Sequence, residues 1–80
     1  MRQPITTLEE LDALDPVEMV EGYWEGYAGE QEPGGNRSLA FWHGWRNGMV
    51  DGKHMEADDA GVKLAALYLA RERFRRENAA

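Results

Sequence analysis

The apolar residues of the chain recur at intervals of three and four positions, which is the spacing of helices, and no segment alternates strictly as a half-buried strand does. This pattern predicts an all-α protein, a small helical bundle in a single domain of 80 residues. The predicted elements are a frayed tail over 1–6, a short helix over 7–14, two helices over 16–30 and 38–51, and a long helix over 59–78.

Signals for helix boundaries accompany these segments. The run Thr6-Thr7-Leu8-Glu9-Glu10 holds a Thr followed three positions later by Glu, which is the pattern of a capping box. Asp15 and Pro16 are suited to the N-cap and the first position of the second helix. Gly52 follows the third helix and is predicted to take the C′ position after it.

Glycines share a face with aromatic residues in the second and third helices. An interior glycine costs a helix about 1 kcal/mol relative to alanine, so several on one face indicate the close approach of another backbone or of a large aromatic ring. We predict a helical hairpin in which the aromatic side chains lie over the glycines of the partner helix. The residues expected to build it are Gly22, Gly26, Gly29, Trp24, Phe41, Gly44, Trp45 and Gly48.

The fourth helix is predicted to pack across this hairpin. Its apolar stripe consists of Val62, Ala65, Ala66 and Leu69. Trp42 lies off the main stripe of the third helix, and we expect it to be exposed.

Composition narrows the possible functions. Fifteen acidic residues against nine basic ones give a net charge of −6, which disfavours direct binding to DNA or to anionic membranes. The absence of cysteine excludes disulfides, zinc-thiolate sites and thiol nucleophiles. The longest apolar stretch, 64–70, is too short to span a bilayer. We expect a cytoplasmic protein that does not bind membranes.

The acidic residues are concentrated in the first half of the chain. Residues 7–32 contain nine acids and no lysine or arginine. Glu18, Glu21 and Glu25 form a strip on the second helix, with steps of roughly 4.5–6 Å that are of the same order as the spacing of duplex phosphates. The strip is either a solvated face or an imitation of a phosphate track. The candidate partner-binding residues are Glu9, Glu10, Asp12, Glu18, Glu21 and Glu25.

No catalytic or metal-binding set can be assembled from the sequence. His43 and Ser38 have no motif that joins them, so we predict that the protein is not an enzyme. The acidic connector around His54 holds donors that are common in such segments, and we predict neither a metal site nor a cofactor. The arginine-rich stretch 71–77 is a self-paired helix end, an RNA-binding helix or a segment that docks on a second copy, so both monomer and homodimer remain open.

Two separated motifs resemble the ribosome modulation factor family. They are Gly22-Tyr23-x-x-Gly26-x-Ala28-Gly29 and Gly44-Trp45-Arg46-x-x-Met49-x-Asp51. Phe41 occupies the position where that family usually carries tryptophan, and the resemblance covers about residues 20–52. It implies a two-helix protein that associates with ribosomal RNA.

The chain also resembles small acidic inhibitors of phage origin, above all anti-CRISPR proteins, in size and charge. We therefore expect a non-catalytic inhibitor that mimics nucleic acid and blocks a basic surface on a partner complex, with a CRISPR effector as the suspected partner. The alternative is a ribosome-associated modulator that uses Arg37, Arg46 and the basic end of the fourth helix.

Overall fold

The computed structural model describes residues 3–79, which form four helices: α1 (Leu8–Asp12), α2 (Pro16–Tyr27), α3 (Leu39–Asp51) and α4 (Asp59–Glu77). No strand occurs in this part of the chain, so the prediction of a small all-α bundle is confirmed. The predicted tail is only partly described, since residues 1–2 lie outside the described range.

Each helix begins at a side-chain cap. The Asp15 carboxylate accepts a hydrogen bond from the Val17 backbone N–H (2.9 Å), as the sequence predicts. Thr7 Oγ1 accepts one from the Glu10 backbone N–H (3.1 Å), so the cap of α1 is also confirmed. The remaining N-caps are Ser38 for α3 and Asp58 for α4.

The C-terminus of α2 lies three residues before the predicted end at residue 30. Gly29 takes a left-handed conformation with φ of 84°, which stops the helix. The Glu30 backbone N–H then donates to the Glu25 carbonyl (3.0 Å), and that of Gly29 donates to the Gly26 carbonyl (2.9 Å). These two bonds form a Schellman motif, which satisfies carbonyls that the helix end leaves unpaired.

At the end of α3 the left-handed residue is Lys53, with φ of 65°, and not Gly52. The prediction for Gly52 is therefore wrong by one position. Gly52 is the C-cap, and a Cβ there would lie 2.6 Å from the carbonyl oxygen of Tyr27. Because Gly52 has no side chain, α2 can approach closely at this position. The left-handed conformation that ends the helix is taken by the next residue, Lys53.

The backbones of α2 and α3 touch at their glycines. A Cβ on Gly22 would lie 2.8 Å from the carbonyl carbon of Phe41, and one on Gly44 would lie 2.8 Å from that of Met19. Real Cβ atoms do not approach backbone so closely. The glycines thus meet backbone rather than aromatic rings, which corrects the prediction. The paired positions are Gly22 with Phe41, Gly26 with Trp45, Gly44 with Met19, Gly48 with Tyr23, and Gly52 with Tyr27.

These pairs show that α2 and α3 run parallel, because the residue numbers rise together along both helices. The glycine-faced pair is present, but the antiparallel direction that a hairpin implies is wrong. Residues 28–38 must therefore return along the length of the helices. Eleven extended residues reach about 36 Å, whereas a helix of this length spans roughly 20 Å, so the connection suffices.

This returning loop covers the aromatic side of α3. The Trp45 Nε1–H donates to the Glu30 carbonyl (2.9 Å), and the Trp42 Nε1–H donates to the Glu32 carboxylate (2.9 Å). Trp42 is consequently only 4% exposed, and the prediction that it is exposed is wrong. The indole N–H of Trp42 is hydrogen-bonded to a side chain ten positions earlier in the sequence, that of Glu32.

The fourth helix contacts α1. The prediction that it packs across α2 and α3 is therefore wrong. Within the described residues, no Cα atom of α4 comes within 8 Å of one in α2 or α3. Arg71 Nη1 donates to Asp12 (2.7 Å) and holds α4 to α1, while Arg46 Nη2 donates to Asp58 (2.6 Å) and holds α3 to the start of α4.

A cavity of about 920 Å³ separates α4 from the paired helices, and its lining is mostly apolar. The predicted stripe of α4 forms one wall of it, so Leu69 remains 66% exposed. Ile5 lines the same cavity and is only 3% exposed, which shows that this part of the predicted tail is packed and not frayed.

Replacing Gly22 by alanine tests the backbone contact. In an exposed helix this change would stabilise the protein by about 1 kcal/mol. Here the added methyl collides with the Phe41 carbonyl, and we expect the free energy of unfolding to fall by about 2–3 kcal/mol. Urea denaturation followed by far-UV circular dichroism measures the difference.

Gly35→Ala is the matched control, because a Cβ at Gly35 meets no atom within 4 Å. We expect its stability to equal or slightly exceed that of the wild type. A Gly22→Ala protein as stable as the control would contradict the contact.

Candidate functional site

The outer side of α2 carries three glutamates without an ionic partner. Glu21 and Glu25 are exposed and Glu18 is half-buried. Within residues 3–79 none of them forms an ion pair with a lysine or arginine. From Glu18 to Glu25 the helix rises about 10 Å. Three uncompensated carboxylates along one helix produce a negative potential that attracts basic partners.

The three candidate acids of α1 differ from one another. Glu9 is exposed and has no ion pair in the described chain. The Glu10 carboxylate accepts hydrogen bonds from the hydroxyls of Thr7 (3.0 Å) and Thr6 (3.2 Å), and so belongs to the cap of the helix. Asp12 is neutralised by Arg71 of the same chain, which weakens its candidacy for binding a partner. We call Glu9, Glu18, Glu21 and Glu25 the acidic surface.

An apolar strip lies beside the glutamates on α2. Because Gly22 and Gly26 face α3, the residues on the opposite side of the helix face solvent. Trp24 is 60% exposed, so the prediction that it lies over the glycines of the partner helix is wrong. We call the exposed apolar residues of α2 the outer strip, and they are Val17, Val20, Trp24 and Tyr27.

The rings of α2 form a cluster that fixes Trp24 in place. Its ring lies edge-on to Tyr23 and Tyr27, with centroids 5.1 and 5.8 Å away. Tyr23 is anchored in turn, since its hydroxyl donates to the Asp51 carboxylate at 2.7 Å. That hydrogen bond raises the pKa of the Tyr23 phenol above its ordinary value of 10. A large exposed ring held in one orientation loses little entropy on binding and suits a protein contact.

Helical spacing alone groups Trp24 with Met19 and Tyr23 on one broad apolar side of α2. The glycines carry the signal that separates them, because a glycine stripe that contacts another backbone places the residues opposite to it in solvent. Helical spacing alone then assigns Val17, Val20 and Trp24 to that exposed side.

The potential catalytic groups are occupied in packing. His43 is buried on α3, and its Nε2 accepts a hydrogen bond from the Asn47 side-chain amide (3.2 Å). The Ser38 hydroxyl accepts from the Phe41 backbone N–H (3.1 Å) as the cap of α3. Burial lowers the pKa of His43 below its ordinary value of 6.5, and the nearby Arg46 guanidinium adds to this effect.

The potential metal ligands between α3 and α4 also form hydrogen bonds within the chain. The His54 Nε2–H donates to the Tyr27 carbonyl (3.1 Å), and Asp58 binds both Arg46 and the Gly61 backbone N–H. Among residues 3–79, no three potential metal-ligating side chains lie close enough together to hold an ion. None of the described helices has the length and apolar character needed to cross a bilayer.

No family model matches this chain, and comparisons with curated proteins and with solved structures found no similar protein. The resemblance to the ribosome modulation factor family therefore remains a prediction from the sequence motifs.

The buried His43 predicts a pH dependence of stability. Its lowered pKa means that the unfolded chain takes up a proton at higher pH than the folded protein does. The free energy of unfolding should therefore fall as the pH drops below about 6.5, where unfolded histidine becomes charged. Denaturant titrations at pH 7.5 and 5.5 measure the loss.

His43→Gln is the control for this measurement, because glutamine retains a hydrogen-bonding side chain without titrating. We expect the variant to lose less stability over the same pH interval. Equal losses in the two proteins would show that His43 does not cause the effect.

Proposed function

We propose that this protein is a non-catalytic inhibitor whose acidic surface occupies a basic, nucleic-acid-binding site on a partner protein. The observation that carries the proposal is the set of exposed and half-buried carboxylates on α2 that form no ion pair with a basic side chain of the described chain. Glu18, Glu21 and Glu25 supply the charge, and Glu9 is a further contributor.

The mechanism is a substitution of carboxylates for phosphates. A site built for nucleic acid presents lysines and arginines, and much of its affinity arises from neutralising phosphate charge. Glutamates fixed along one side of a helix offer the same interaction without strand flexibility. The partner then cannot bind DNA or RNA at that site until the inhibitor dissociates.

The outer strip gives such a complex an apolar component. Ionic contacts at an interface mainly direct encounter and orientation, whereas buried aromatic anchors supply much of the affinity. Trp24 and Tyr27 stand beside the glutamates, and the Tyr23 ring contacts both of them. A CRISPR effector complex, with its basic channel for nucleic acid, is the concrete partner class that we propose.

The proposal is tested by capture and competitive release. Protein immobilised through its C-terminus is incubated with a bacterial lysate, and bound proteins are eluted with duplex DNA at constant ionic strength. We expect DNA to release a nucleic-acid-binding protein because both ligands use one site. Replacing Glu18, Glu21 and Glu25 by glutamine should reduce its capture by about tenfold or more.

The matched control carries Glu56→Gln, Asp59→Asn and Glu77→Gln, which change the net charge equally at exposed positions outside the acidic surface. It should capture the partner as the wild type does. Equal loss in both variants, or a bound protein that duplex DNA does not release, would contradict the proposal.

The alternative function, ribosome-associated modulation, depends on two arginines that lie over aromatic rings of α3. Arg46 binds Asp58 and lies over the Trp42 ring at 5.0 Å, and Arg37 lies over the Phe41 ring at 4.5 Å. Recovery of ribosomal subunits in the same capture, unaffected by the glutamine replacements, would favour this alternative.

A further inference from the structure

The second half of α4 carries a second apolar strip that does not line the cavity. Leu67, Ala70 and Phe74 recur at helical spacing, and Phe74 is 65% exposed. The molecule is elongated, with extents of 42 × 23 × 21 Å, and α4 is its longest helix. We call these three residues the distal strip.

Arginines border the distal strip. Arg73 lies on one side of the strip, is exposed and forms no ion pair within residues 3–79. Arg75 lies on the other side, and its one ion pair within the described residues is with Glu72, at 3.4 Å and near the surface, where such a pair contributes little. This end of α4 is therefore apolar and positively charged.

The outer strip of α2 complements the distal strip of α4 in its apolar spacing and in its charge. The distal strip spans about 10 Å of helix and the outer strip about 15 Å. Apolar residues stand at helical spacing on both, and glutamates border one while arginines border the other. Two exposed apolar helix faces that are bordered by opposite charges can pack against each other with electrostatic complementarity.

We propose that the distal strip of one copy docks on the outer strip of a second copy. In a two-fold symmetric dimer the contact is made twice, with each α4 on the α2 of the other protomer. Glu21 and Glu25 then face Arg73 and Arg75 of the second copy. Trp24 and Phe74 are removed from solvent, and they supply the largest apolar area of the interface.

This self-association covers the same glutamates that the proposed function uses, although it rests only on the exposed faces and their charges. The dimer would hide the acidic surface, and a basic partner would have to displace α4 of the second copy. Binding of that partner and dimerisation therefore exclude one another.

A charge-swap experiment tests the dimer. One variant carries Glu21→Lys and Glu25→Lys, and the other carries Arg73→Glu and Arg75→Glu. In sedimentation velocity we expect the wild type to form a species of about twice 9.1 kDa as its concentration rises. Each variant alone has like charges on both faces, and its dimer dissociation constant should rise by about tenfold or more.

Mixing the two variants distinguishes a direct contact from a general effect of charge. In the mixed pair, each contact again joins opposite charges, so a heterodimer should form with an affinity within a few fold of the wild-type dimer. Circular dichroism verifies that both variants keep their helix content. A control with Glu56→Lys and Asp59→Lys, which makes the same charge change elsewhere, should dimerise as the wild type does.

A wild type that remains a 9.1 kDa monomer up to millimolar concentration would overturn the inference. Failure of the mixed variants to associate would overturn it as well. Either result leaves the capture experiment unaffected, because that experiment follows release of a different protein by DNA.

Discussion

The fold depends on direct contact between the backbones of α2 and α3. At Gly22, Gly26, Gly44 and Gly48 the α-hydrogen of each glycine faces a carbonyl oxygen of the opposite helix, in the arrangement of a weak Cα–H···O hydrogen bond. Four such contacts contribute about 2–4 kcal/mol in total. The close approach also lets the side chains at the edges of the contact meet around it, as Tyr23 meets Asp51.

Much of the local structure could be predicted from the sequence because caps and stop signals act over a few residues. The starts of α1 and α2, the four helices and the glycine-faced pairing follow from Thr7, Asp15 and the glycine spacing. The direction of α3 could not, because glycines repeated every fourth residue form the same smooth face whichever way the helix runs. The two directions are distinguished by which residues meet in the folded structure, such as Gly22 with Phe41 and Gly26 with Trp45.

The candidate site could be predicted only in part, because some of its contacts join residues that are far apart in the sequence. The acidity of residues 7–32 is visible in the sequence, but the loss of Asp12 to Arg71 joins positions 59 residues apart. No local rule reports such a pair. The exposure of Trp24 follows once Gly22 and Gly26 are assigned to the contact with α3.

The parallel contact also explains why so much apolar surface remains uncovered. Because α2 and α3 meet through their glycines, their large side chains point sideways and outward. The fourth helix packs on α1 and leaves a wide cavity beside the paired helices. The core that remains is small, consisting mainly of aromatic side chains on α3. A chain of this size with few buried residues gains stability from association, which is consistent with both of the surfaces described on α2 and α4.

The direction of α2 relative to α3 can be measured directly by nuclear Overhauser effects between glycine α-hydrogens and the opposite helix. The parallel arrangement predicts cross-peaks from Gly22 to Phe41, from Gly26 to Trp45 and from Gly52 to Tyr27. An antiparallel pair would instead connect Gly22 with the end of α3 near Gly48, and Gly52 with the start of α2. The second set of cross-peaks in place of the first would contradict this account of the fold.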